Sequence, residues 1–186
     1  ERLAFAIGGK ARTVDQLMIR ITLVLIATAY LVPSTSGRAA LMLPVYLAFA
    51  ERIDERRVRR ALAVLFPAVI LLSAVASLFG AGAHVVMTEL VAGVGAERIS
   101  FLQWTVYGLP FAIVSSFASL VVVRTMFLQR HERKLPVDLA RASTPWTRSE
   151  IVVTTVLGAL TLCWFTEPFH GVPAWLAAVI GAAVAR

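Results

Sequence analysis

Asparagine is absent from this 186-residue chain, cysteine occurs once, and charged residues make up only 16% of it. Each scarcity excludes something. A single Cys163 can form no intrachain disulfide and offers no metal-ligand cluster. Lying inside an apolar run, it reads as a small buried hydrophobe. Low charge beside 59% hydrophobic residues and a mean hydropathy of +0.79 excludes an ordinary soluble domain. No strand alternation, soluble-type repeat or low-complexity tract is present. Acid–base groups are just as sparse within the apolar runs, where His84 and Glu89 have no second His or Asp to pair with. That composition argues against an enzyme and for an all-α membrane protein.

What is there is a set of long apolar runs, 61–79, 101–123 and 151–166, each near the roughly 20 residues that cross a hydrocarbon core. None is a signal peptide, because the strongly apolar stretches are internal. The chain opens at Glu1 without Met and stops at Arg186 directly after WLAAVIGAAVA, so it reads as a piece of a longer polytopic protein. The net charge of +7 does not point to nucleic acid, since the basic residues cluster at the ends of apolar segments. Arg52, Arg56, Arg57, Arg59 and Arg60 form one group, and Arg124, Arg130, Arg133, Lys134, Arg141 and Arg148 another. Both are assigned to the cytoplasm, and the turn GAERIS, with Arg98 alone, to the outside.

Two places interrupt the apolar pattern. The outward segment 61–95 is too long for one straight span, and Phe79-Gly80-Ala81-Gly82-Ala83 places two glycines inside it. This predicts a discontinuous helix, 61–79 followed by 83–95, the alternative being a span and a separate surface helix. Upstream, Lys10, Arg12 and Arg20 precede YLVPSTSGRAALMLP and five arginines follow it, so the chain must return to the side it left. The apolar pieces at about 21–32 and 39–50 are a dozen residues each, which predicts a re-entrant hairpin within about 15–50 that turns at mid-membrane. Residues 129–148 read as a cytoplasmic linker, with Thr147-Arg148-Ser149-Glu150 as a capping box for the next helix. Glu167 and His170 are expected in a surface turn beside Pro168 and Gly171, and Trp104, Trp146, Trp164 and Trp175 as interfacial anchors.

At a hairpin tip the hydroxyls of Ser34, Thr35 and Ser36 would meet the N-terminal end of a half-helix, a place that favours an anion, with Arg38 as counter-charge. A plain surface turn with a snorkelling Arg38 is the other reading of the same spacing.

The stretch Pro33-Ser34-Thr35-Ser36-Gly37-Arg38, followed by AALMLPV, resembles the first hairpin motif of the divalent anion:sodium symporter family, commonly Pro-Ser-Asn-Thr-Ala-Arg. FGAGAH at 79–84 stands in place of that family's broken-helix loop, often Gly-Thr-Pro-Pro-Asn. FLQWTVYGLPFAIV looks like its following helix, and TPWTRSEIVVTTVLGALTLCWFTEPFHGVPAW like the opening of its second repeat. The resemblance implies a partial inverted repeat: 1–128 as the end of the first repeat, 129–148 as linker and 149–186 as the truncated start of the second. It further implies a multi-pass transporter of the cytoplasmic membrane, working by alternating access as a homodimer. The substrate would be a small divalent anion, dicarboxylate, tricarboxylate or sulfate, held by Ser34, Thr35, Ser36, Gly37 and Arg38. Sodium would lie among Ser34, Thr35, Gly80, Gly82 and His84, with no other metal or cofactor. Thr35 and His84 stand where the family has asparagine, so proton coupling or exchange, which suits an imidazole, is an alternative. A second branch of the superfamily, the arsenite or antibiotic-like exporters, shares the architecture, and a non-transporting membrane subunit would need no cavity at all.

Overall fold

The computed structural model of the protein describes residues 11–32, 34–95, 97, 99–137 and 147–171, together with Leu176 and Val179. Among these the secondary structure is helical: α1 Val14–Leu31, α2 Thr35–Arg52, α3 Arg56–Ser73, α4 Gly82–Gly93, α5 Phe101–Phe127 and α6 Arg148–His170. Three stretches among the described residues are long and apolar enough to cross a membrane: α1, Arg56–Ala76 and α5. These define an all-α membrane protein.

The core forms where α1, α3 and α5 meet, and α2 lies against α3. Buried positions recur at three- and four-residue steps, as on α3 with Val58, Ala61, Leu62, Leu65, Phe66, Val69 and Ile70. The buried stripe of α5 narrows in its middle to Gly108, Ala112 and Ser116. Such small residues let helix backbones approach one another in a lipid environment, where van der Waals packing replaces the hydrophobic drive of water. Prolines 44, 67 and 110 lie within α2, α3 and α5, positions that membrane helices tolerate.

Among the described residues, the basic group of 52–60 and that of 124–134 lie at one end of the bundle. Arg124 of α5 pairs with Asp15 of α1 at 2.7 Å, and Arg57 lies 3.8 Å from Glu132. Residues 129–137 were expected to be simple linker, yet they fold back as a strap over this end. The Val14 N–H donates to the Leu135 carbonyl at 3.1 Å, the Val137 N–H to Arg12 at 3.2 Å, and Thr13 and Pro136 form an antiparallel bridge. The remaining linker positions, 138–146, lie outside the described residues.

The hairpin differs from expectation in its dimensions. Its limbs α1 and α2 have 18 residues each, about 27 Å at 1.5 Å rise. Counting apolar residues missed the end turns, which are helical although polar: Asp15 and Gln16 open α1 beneath a Thr13 cap, and Glu51 and Arg52 close α2. α1 is tied to α5 at both ends, by Asp15 to Arg124 and by Tyr30 to Phe101, whose ring centroids are 6.3 Å apart. The turn after Leu31 therefore lies near the start of α5 and not halfway along it.

Further corrections concern single residues. α6 ends with Gly171 at φ +66, whose N–H bonds the Glu167 carbonyl at 2.9 Å, so Glu167 and His170 belong to the last helical turn. Cys163 is half-buried, with its sulfur 3.7 Å from His170 Nε2. Trp164 is buried among Phe79 and Phe101 and is no interfacial anchor. Trp146 and Trp175 fall outside the described residues.

Candidate functional site

Regular α-helix gives way before the glycines of 79–83 are reached. α3 stops at Ser73, two 3₁₀ turns follow at Ala74–Ala76 and Leu78–Gly80, and α4 resumes at Gly82. Non-helical backbone inside a bilayer needs protein partners for its polar groups. Other helices supply them. Trp104 Nε1 donates to the Val75 carbonyl at 2.9 Å, and the Tyr30 hydroxyl donates to Ala76 at 2.9 Å. His84 Nδ1 lies 3.2 Å from the Ser77 carbonyl. A carbonyl only accepts, so Nδ1 carries the proton and Nε2 is left as the acceptor. The imidazole also lies over Trp104, with ring centroids 4.8 Å apart.

Two glycines make this packing possible. A Cβ on Gly80 would overlap the Ala74 carbonyl, and one on Gly108 the Val75 carbonyl. Gly82 has nothing within 4 Å of the same position, so its place in the motif has no steric origin.

Because the break depends on these donors, Trp104→Phe and Tyr30→Phe should each strand one carbonyl while keeping most of the ring volume. Each is expected to cost about 1–3 kcal/mol, the usual penalty for an unpaired buried polar group. Thermal unfolding in detergent reads it; unchanged midpoints for both would mean that the carbonyls have other partners.

At the hairpin tip, Ser34 caps α2: its hydroxyl oxygen accepts the Gly37 N–H at 3.1 Å, and its carbonyl accepts the Arg38 N–H at 2.9 Å. The hydroxyls of Thr35 and Ser36 and their backbone N–H groups have no partner among the described residues. Ser34 and Ser36 are exposed and Thr35 is half-exposed. The tip thus offers unengaged donors at a helix N-terminus, the chemistry of an anion site. Pro33 lies outside the described residues.

Arg38 does not join them. Its side chain is 0% exposed. Nη2 donates to the Leu25 carbonyl at 2.8 Å and to Ser73 Oγ at 2.5 Å, and Nε donates to Thr28 Oγ1 at 3.3 Å. Nη1 is buried with no partner among the described residues. The expected counter-charge at the tip is therefore a buried tie from α2 to α1 and to the last turn of α3, immediately before the break. It faces inward because Leu25 and Ser73 present oxygens there, and a guanidinium in an apolar bundle goes to oxygen.

No hydrogen bond joins Ser34 or Thr35 to Gly80, Gly82 or His84 among the described residues. A groove of about 710 Å³ opens on the α5 side of the break, beside Val75, Trp104, Tyr107 and Gly108, and contains none of the residues expected from sequence. Sequence reasoning missed Ser73, Tyr30 and Trp104. The available signal was that hydroxyl and indole donors within apolar spans need acceptors, and a broken helix supplies them.

By fold, the described chain is a helical membrane protein with one helical hairpin and, after the candidate span Arg56–Ala76, two 3₁₀ turns and a further helix. No family model and no curated protein matches it.

Proposed function

We propose that the protein is a secondary active transporter of small divalent anions, dicarboxylate, tricarboxylate or sulfate, working by alternating access in the cytoplasmic membrane. The observation that carries this reading is the pairing of two features. A hairpin tip with unengaged hydroxyl and N–H donors lies on the element that Arg38 ties to an interrupted helix. Discontinuous helices in transporters place helix ends at substrate and ion sites, and an N-terminal end suits an anion. In this reading Ser34, Thr35, Ser36 and Gly37 meet the anion. Arg38 acts on it through helix position and not by contact.

The coupling ion follows less directly from the same groups. The Val75 and Ala76 carbonyls each accept one side-chain hydrogen bond and keep a second lone pair, whereas the Ser77 carbonyl already accepts two, from the Gly80 N–H at 2.9 Å and from His84 Nδ1 at 3.2 Å. His84, with Nδ1 on the Ser77 carbonyl, keeps proton coupling as the alternative to sodium. A second reading, an exporter of arsenite or another weakly charged cargo, gains from the burial of Arg38, since the tip then carries no full charge.

Uptake of labelled succinate, citrate and sulfate by the full-length protein in proteoliposomes, under sodium and proton gradients separately, tests the proposal. Gradient-dependent or exchange uptake is expected for at least one of them, falling about tenfold or more in Ser34→Ala/Thr35→Ala with folding intact, as removal of two contacts worth about 0.7 kcal/mol or more each would give. Absence of uptake across the panel would refute it.

A further inference from the structure

Along the seam between α2 and α3 runs a groove in two parts. Its mouth, about 420 Å³, is lined by Arg56, Arg59, Arg60 and Glu51 together with Tyr46 and Ala63. Its inner part, about 260 Å³, shares Tyr46 and Ala63 and continues between Met42 and Leu43 on one side and Phe66, Pro67 and Ile70 on the other. The wall at the junction is fixed by Tyr46 packing edge-on against Phe66, with centroids 5.8 Å apart. The mouth is charged, the slot is apolar, and Tyr46 and Ala63 line both.

Electrostatics at the mouth is unusual. Four arginines, at 56, 57, 59 and 60, crowd the start of α3, where no acidic residue enters the first turn and Glu55 gives no side-chain cap. Positive charge at the positive end of a helix dipole is unfavourable. Arg57 has Glu132 for a partner. Arg56, Arg59 and Arg60 are exposed and have no ion-pair partner among the described residues, so three cations stand against Glu51 alone at the mouth. A general inside-positive bias accounts for arginines at this end of the bundle. It does not account for their gathering around the opening of an apolar slot.

The slot has the depth of one leaflet. From Arg60 to Ile70 along α3 is about 15 Å at 1.5 Å per residue, half of a hydrocarbon core of about 30 Å. We propose that this groove binds one anionic phospholipid, its phosphate held by Arg56, Arg59 and Arg60 and one acyl chain lying along the seam past Ala63 toward Ile70. The site is separate from the hairpin tip and does not depend on the transport reading.

Native mass spectrometry of the full-length protein in mild detergent, offered phosphatidylglycerol and phosphatidylcholine with identical acyl chains, tests it. Preferential retention of phosphatidylglycerol is expected. In the R56Q/R59Q/R60Q variant the preference should fall by roughly fivefold per arginine, the weight of one basic side chain at an anionic membrane surface. Ala63→Phe, which fills the junction and leaves every charge in place, should lower lipid retention as well. On the unaltered protein, a phosphatidylglycerol with a photoreactive acyl chain should label residues within 42–47 and 63–70, a readout that does not require any variant to fold. Equal retention of the two lipids, labelling elsewhere, or full displacement of the lipid by glycerol phosphate would overturn the proposal. So would crosslinking between copies through Leu43→Cys with no lipid retained, because the seam would then belong to an interface.

Discussion

Replacing Arg38 with alanine is expected to destabilise the bundle by about 3 kcal/mol, whereas methionine at the same position should leave stability within about 1.5 kcal/mol of the parent. The contrast follows from what each change leaves behind. Thr28 already donates to the Leu25 carbonyl at 2.7 Å, and the Ser73 hydroxyl can turn to Ile70 at 3.5 Å, so the partners of Arg38 are not stranded when it goes. What alanine removes is the volume of a side chain that is fully buried, and the cavity carries the cost. Methionine refills the stem. It also takes away a buried charge with one unpartnered nitrogen, which offsets much of the hydrogen bonding lost. Arg38→Lys should do worse than its charge suggests, because a single ammonium cannot reproduce a guanidinium that holds Leu25 and Ser73 through Nη2 and Thr28 through Nε. Thermal unfolding of the three variants in detergent decides the matter; an alanine variant as stable as methionine would contradict the cavity account. The methionine variant then isolates function. It folds without the link from the hairpin to Ser73, and under the transport proposal its uptake falls tenfold or more, a loss of about 1.4 kcal/mol in the rate-limiting barrier.

Gly80→Ala and Gly108→Ala are expected to be as damaging as the cavity, each costing about 2–3 kcal/mol. At both positions the new methyl meets a backbone carbonyl, Ala74 in one case and Val75 in the other, and backbone cannot move aside as a side chain does. At 108 the consequence spreads, because the Trp104 indole must stay within hydrogen-bonding reach of the same Val75 oxygen. Gly82→Ala is the matched control. It meets open space near the start of α4 and should be neutral or stabilising by up to about 1 kcal/mol, through the reduced freedom of the unfolded chain. Susceptibility to proteolysis together with thermal unfolding would rank the three; equal behaviour would mean that the break is not closely packed.

These residues show how far a linear reading reaches. Helical character, residence in a membrane, the punctuation at PSTSG and the grouping of the basic residues of 52–60 and 124–134 at one end were legible, since each rests on composition or on residues adjacent in the chain. The glycines of FGAGA correctly announced an interruption but misplaced its start, because the pattern Ser73-Ala74-Val75-Ala76-Ser77 contains no helix breaker at all. The hairpin limbs were underestimated for a related reason: apolar runs report the buried middle of a helix and omit its polar end turns. For the candidate site, the donors at the tip were readable from Ser34, Thr35 and Ser36. The direction of Arg38 was not, since a guanidinium ten or more residues away from its acceptors in the chain has no local signature.

By itself the sequence determined a helical membrane chain, its likeness of ends, and a hydroxyl-rich turn that caps a helix, all consequences of local propensity and hydrophobicity. Only the tertiary structure decided where the third helix breaks and where Arg38 points. Carbonyls of Val75 and Ala76 can leave the helix because an indole from α5 and a phenol from α1 replace the lost N–H donors, and an arginine can be buried because α1 and α3 present oxygens to it. Backbone carbonyls and a guanidinium packed among apolar helices need protein partners, so residues distant in the chain set both outcomes.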